Sequence, residues 1–207
     1  MAKDSPKRST LLCTVGTSLF YPNLESLKSN RKSEESLRML TKAYKASDWL
    51  TVGDCLSARS PTERLCGAEI NSIACMMSQG LVPEKVGLCF LHSATDHGRN
   101  IATILKGFYR ATGHRPVKSY VISGLQDQNP RQFQTNGLRS LARKMRKVIS
   151  QYSADNCAIN ATGGFKAQIA VAVLVGQELN VPVYYKHERF DEIISFPPSA
   201  LDQWLDD

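Results

Sequence analysis

Residues 157–179 read CAINATGGFKAQIAVAVLVGQEL. A short apolar run, 157–160, stops at a turn that carries Gly163 and Gly164, and a longer uncharged stretch follows. The run has the length and flanks of a buried strand, and residues 165–179 have the length of a helix. Paired glycines let the backbone turn sharply and approach a ligand closely. Strand, turn and helix in this order make half of a parallel βαβ unit. The final strand of that unit is then the apolar run at 181–185.

The same alternation extends outward through the chain. Apolar runs at 11–15, 86–91 and 116–122 read as further strands, and 193–196 as an edge strand. Between them, helical spacing of apolar residues predicts helices over 34–50, 62–79 with Thr62 as its cap, 97–112 and 132–152. Residues 23–33 and 51–61 are polar and read as loops. Residues 1–9 read as a flexible arm and 201–207 as a tail around one domain at 10–200. Strands alternating with helices predict a single-domain α/β fold, mainly parallel, with helices on both faces of the sheet. In such sheets ligands bind beyond the carboxyl ends of the strands, so the turn after each strand is where chemistry is expected.

Composition narrows the partners. Lys and Arg number 26 against 19 Asp and Glu, a formal charge of +7, which favours an anionic partner. No apolar run approaches the roughly 20 residues of a membrane helix. The charged N-terminus lacks a signal-peptide pattern, so a cytoplasmic protein is expected. Six cysteines form no CxxC pair, and the four histidines are scattered. Reduced core thiols are therefore expected, with no metal and no cofactor.

Three turns are candidates. Asn160, Thr162, Gly163, Gly164, Phe165 and Lys166 form the first. Free amides at the start of the following helix favour an anion there. Lys166 opposes the helix dipole with no Asp or Glu nearby to compensate, which a bound phosphate would explain. The plain alternative is a strand-to-helix turn with a solvated lysine. Gly16, Thr17 and Ser18 form the second, small hydroxyl residues beside a glycine that suit a phosphate or ribose. Ser93, Thr95, Asp96, His97 and Arg99 surround the third. There Asp96 can cap the helix, a Ser93/Asp96/His97 catalytic group is conceivable, and Arg99 is a phosphate contact. Arg131, Arg139, Arg143, Lys144, Arg146 and Lys147 form either a solvated helix face or an anion-facing patch.

Several of these pieces together resemble the CARF family, the CRISPR-associated Rossmann-fold domains that sense cyclic oligoadenylates in type III CRISPR immunity. The resemblance is carried by TVGTSL at 14–19, AEINS at 68–72, HSATDHGR at 92–99 and NATGGFK at 160–166, with PVYYKHE at 182–188 and ISFPP at 194–198. It implies a Rossmann-like sheet and a homodimer with one ligand ring across its two-fold axis. Many members carry a fused effector, and nothing after Pro198 is long enough for one, so a standalone member is expected. Standalone members include ring nucleases that cleave the second messenger. The resemblance implies Ser18 and Lys166 as catalytic residues. It implies Gly16, Thr17, Thr95, Arg99, Asn160, Thr162, Gly163, Gly164 and Phe165 around cyclic tetra-adenylate. The alternatives are a non-catalytic sensor acting on a separate effector and a regulator of long nucleic acids. The latter lacks a reading helix, an aromatic platform or a basic tail here.

Overall fold

Leu11, Leu12 and Cys13 are completely buried, which only a strand covered on both faces requires. In the computed structural model, which describes residues 8–28, 35–126, 129–187 and 191–198, this strand is the centre of the sheet. The six strands are β1 (Thr10–Thr14), β2 (Gly87–Ser93), β3 (Val117–Ile122), β4 (Cys157–Asn160), β5 (Val183–Lys186) and β6 (Ile193–Phe196). Their order is β3-β2-β1-β4-β5-β6. The first five run parallel, and β6 returns antiparallel along β5 as the edge. β1 pairs with β2 on one side and β4 on the other, so the direction of winding reverses at β1 and the loops that follow β1 and β4 diverge. The architecture is a Rossmann-like α/β domain.

Helices cover both faces. α1 (Glu35–Lys45), α2 (Trp49–Ser57), α3 (Gly67–Ser78) and α4 (Asp96–Ala111) pack on one side with Leu11, Cys13, Leu88 and Phe90. After the single turn of α5 (Pro130–Gln132), α6 (Leu138–Tyr152) and α7 (Lys166–Leu179) pack on the other with Leu12, Cys89 and Leu91. Alternate residues of β1 and β2 thus feed two separate cores, as the pleat requires. All six cysteines are free thiols. Burial raises Cys66, Cys89 and Cys157 to about 11, so these thiols stay protonated and unreactive. Among the described residues, no helix is long and apolar enough to cross a membrane.

Five sequence expectations need correction. Of the loop expected over 23–33, Leu24–Lys28 is a 3₁₀ helix with Leu24 and Leu27 buried, and 29–33 lie outside the described residues. The helix expected over 34–50 is two, broken where Ser47 takes a positive φ of 57°, and Asp48 caps the second by accepting from the Thr51 amide at 3.2 Å. The loop expected over 51–61 is largely α2. Its buried face is Val52, Gly53 and Leu56, and a glycine does not register as an apolar contact in a hydropathy pattern. Thr62 caps nothing: a 3₁₀ turn at Arg64–Cys66 comes first, and α3 begins at Gly67 with a φ of 82°. α4 is capped by Thr95, whose hydroxyl accepts from the Gly98 amide at 3.1 Å, and not by Asp96. Of the expected arm, residues 1–7 lie outside the described residues, as does the expected tail at 201–207. Arg8 is tied down, donating to the Ala154 carbonyl at 2.8 Å.

α2 and α4 approach each other backbone to backbone, because Gly53 faces Gly107 and the Ile104 carbonyl. A Cβ at Gly53 would collide with that carbonyl. Helix propensity alone favours alanine over glycine by about 1 kcal/mol. The collision reverses the sign, and Gly53→Ala is expected to destabilise the protein by about 1–3 kcal/mol in urea denaturation. A stability equal to wild type would show that the two helices part without loss.

Candidate functional site

The turns after β1 and β4 touch. The Thr14 hydroxyl, at the end of β1, donates to the Gly163 carbonyl at 2.5 Å. A Cβ on Gly16 would strike the Gly164 amide, and one on Gly163 would strike the Thr14 carbonyl and the Glu69 carboxyl. Only glycine fits at either position, and Gly164 is further held at a φ of +97°. Beneath both turns lies the side chain of Glu69, from the first turn of α3. It is 1% exposed, and its Oε1 accepts from the Gly16 amide at 2.7 Å. Burial pushes its carboxyl up from the ordinary 4.5, although the bond from Gly16 pulls it down.

Asn160 and Thr162 build the second turn from inside. Asn160 is 2% exposed and donates to the Ser72 hydroxyl at 2.8 Å. Its Oδ1 accepts from the Thr162 amide at 3.1 Å and from the Thr162 hydroxyl at 2.6 Å. The Thr162 oxygen in turn accepts from the Lys186 amide at 3.0 Å, which links the turn to β5. The polar groups of both side chains thus go into shaping the loop. Gln168, buried in the first full turn of α7, lies against Gly164 with its Oε1 unpartnered. Nothing in the local sequence singles out Gln168. Glu69 lies in the AEINS stretch at 68–72, and its one usable signal is an acid in the first turn of an apolar helix.

The outward-facing groups are different ones. Thr17, Gly164, Phe165 and Lys166 are exposed, and Gly16 and Ser18 are half-buried. Ser18 accepts from the Ala68 amide at 3.3 Å, which leaves its own hydrogen to donate. Lys166 opens α7, whose first turn holds no acid, so its charge adds to the positive end of the helix. Aromatic edges stand beside both turns. Phe165 is 39% exposed and packs edge-on to Phe133 at 5.1 Å. Tyr21, 50% exposed, packs edge-on to His97 at 5.6 Å.

The turn after β2 is a support. The Ser93 hydroxyl bonds the Thr95 hydroxyl at 2.7 Å, and the His97 ring packs against Phe20 and Tyr21. Ser93 and His97 therefore do not form a catalytic pair. Arg99 is exposed and donates to the Ala94 carbonyl at 3.1 Å. In the basic stretch, Arg146 pairs with Glu178 at 2.9 Å, and Lys144 lies over the Tyr120 ring at 5.3 Å. An open cavity of about 570 Å³, lined by Arg110, His114, Arg115 and Lys118, sits at the start of β3, at the other end of the sheet from the turns.

The two contacting turns therefore present amides, a hydroxyl, a lysine and aromatic edges at the reversal point of the sheet. That set suits a phosphate-bearing ligand with flat apolar rings. Residues 64–199, well over half of the chain, match the family model described as CRISPR-associated protein (Cas_APE2256). No curated protein matches the chain.

The division between inner and outer groups is measurable. Asn160→Ala leaves the Ser72 hydroxyl and the Thr162 amide without their partner and is expected to cost about 1–3 kcal/mol of stability. Lys166→Ala removes an exposed side chain and is expected to stay within about 0.5 kcal/mol of wild type. Chemical denaturation of the two variants checks both. A large loss in Lys166→Ala would show that the lysine is structural.

Proposed function

The chain belongs to the CRISPR-associated Cas_APE2256 family, and from that membership and the geometry of the two turns we propose that it is a CARF-type protein that binds cyclic tetra-adenylate and linearises it. In type III CRISPR defence such cleavage switches off signalling. The observation that carries the reading is the contact of the Gly16 and Gly163 turns beside Lys166 at the switch point of the sheet. The exposed rings of Tyr21 and Phe165 add surfaces on which adenine can stack.

In the proposed reaction a ribose 2′-hydroxyl attacks the adjacent phosphorus in line. The bond from phosphorus to the 5′-oxygen breaks, the 2′-hydroxyl gives up its proton, and the 5′-oxygen takes one up. The product is a linear oligoadenylate with a 2′,3′-cyclic phosphate. The nucleophile belongs to the substrate, so the protein's work is alignment and charge stabilisation. Lys166 and the turn amides face the charge that grows on the phosphate. Ser18, with its oxygen already accepting from Ala68, acts as a donor that orients the ribose or phosphate. A serine hydroxyl is no strong base at neutral pH, so turnover is slow, as suits a timer. Thr95 and Asn160 act by shaping the loops, and in this reading Arg99, exposed on the β2 side, is a further phosphate contact.

A ring with two-fold symmetry fits a homodimer. The outer face of α7 supports one. Leu174 is 67% exposed there, and the helix carries no charge between Lys166 and Glu178.

Cyclic tri-, tetra- and hexa-adenylate incubated separately with the purified protein in EDTA provide the test, with products resolved by mass. Linear products with a cyclic phosphate terminus are expected from the tetra-adenylate. Lys166→Ala is expected to slow the step by about a hundredfold or more, the usual loss of one charge-stabilising donor. Tight stoichiometric binding with the ring intact would make the protein a sensor for a separate effector. Strongly salt-dependent binding to RNA or DNA polymers, with no affinity for the rings, would overturn the ligand class.

A further inference from the structure

Among the described residues, Glu69 is the one fully buried acid, and it pairs with no lysine or arginine there. One oxygen, Oε1, holds the Gly16 amide, and the other, Oε2, is buried with no partner. The Gly163 backbone lies directly on the carboxyl. An ionised carboxylate in this place would lack half of its hydrogen bonds and would set a negative charge under the surface that faces an anion. We propose that Glu69 is a positioning residue of the crevice, fixing the β1 turn at Gly16 against the β4 turn at Gly163 so that the remaining amides, Ser18 and Lys166 face the ligand. The identity of that ligand rests on the reading above, but the strut itself does not.

Burial raises the pH at which the Glu69 carboxyl gives up its proton, so the strut stays a neutral acid to higher pH than an exposed glutamate does. Burial favours the protonated form and outweighs the pull of the Gly16 and Glu69 backbone amides toward the ionised one. Cys13 from β1 and Tyr109 from α4 are both buried, both are held protonated, and neither supplies a positive charge. The folded protein therefore keeps a proton that the unfolded chain releases above about 4.5. Raising the pH then favours the unfolded chain until Glu69 itself ionises. Ionisation also brings repulsion of the bound phosphate.

Wild type, Glu69→Gln and Glu69→Ala compared from about pH 5 to 9 test this, a range in which Cys13 and Tyr109 stay protonated. The Gln variant keeps an oxygen for the Gly16 amide and cannot ionise. For wild type, affinity for cyclic tetra-adenylate is expected to fall about tenfold or more toward alkaline pH. Glu69→Gln matches wild type at acid pH and holds its affinity, and Glu69→Ala is weaker at every pH. The difference in Tm between Glu69→Gln and wild type is expected to grow with pH. Hydrogen exchange at the Gly16 amide is expected to be slow in wild type and Glu69→Gln and fast in Glu69→Ala. Parallel pH profiles for wild type and Glu69→Gln, or an equally slow Gly16 amide in Glu69→Ala, would overturn the role of Glu69. Absence of ring binding at any pH, with the Tm and exchange results as expected, would overturn the proposed ligand and leave the strut standing.

Discussion

A single backbone amide, that of Gly16, donating to a buried carboxyl holds the site together. β1 and β4 are neighbours in the sheet, and their trailing turns have to leave in opposite directions because the winding reverses between them. Left alone, such turns would splay. Here the Thr14 hydroxyl bonds the Gly163 carbonyl, the glycines bring the backbones into contact, and Glu69 enters from α3 beneath both. Three elements distant in sequence thus converge on a few atoms. Thr17, Phe165 and Lys166 face outward above that point, while Asn160 and Glu69 are buried below it.

The strands were legible because a strand buried on both faces has to be apolar along its whole length. Residues 157–160 could be delimited to the residue for that reason, and the burial of Cys13, Cys89 and Cys157 followed from the same kind of run. α2 was not legible. Its contact surface is a glycine, and a missing side chain is visible only once the opposing helix is in place. The candidate turns were found from their glycines, but the direction in which each polar side chain points was not. Asn160 turns inward because Ser72, far away in sequence, offers it a hydroxyl. Glu69 stood within a quoted motif, yet nothing local says that an acid will be enclosed.

Net charge proved a coarse guide to the site. Several of the cations are engaged elsewhere: Arg8 on the Ala154 carbonyl, Arg146 on Glu178 and Lys144 on the Tyr120 ring. An open cavity lined by basic groups is at the other end of the sheet from the two turns. At the turns themselves the charge is local: Lys166 stands at the positive end of α7, where no acid shares its turn. The family match begins at residue 64, just ahead of the helix that carries Glu69. The matched segment therefore includes the strut and the β4 turn, while the β1 turn that they hold lies before it.

The central place of β1 also sets an order in time. As the chain leaves the ribosome, β1 emerges first, and β2, the partner on one side, follows only after the whole run of helices between them. The other side stays open until residues 157–160 arrive. Through most of synthesis the middle of the sheet is an unpaired edge, the kind that invites wrong partners. Contacts this distant form slowly, because much of the chain's freedom is lost before they can hold. The crevice is consequently among the last features to exist, and no N-terminal fragment that stops short of β4 contains it.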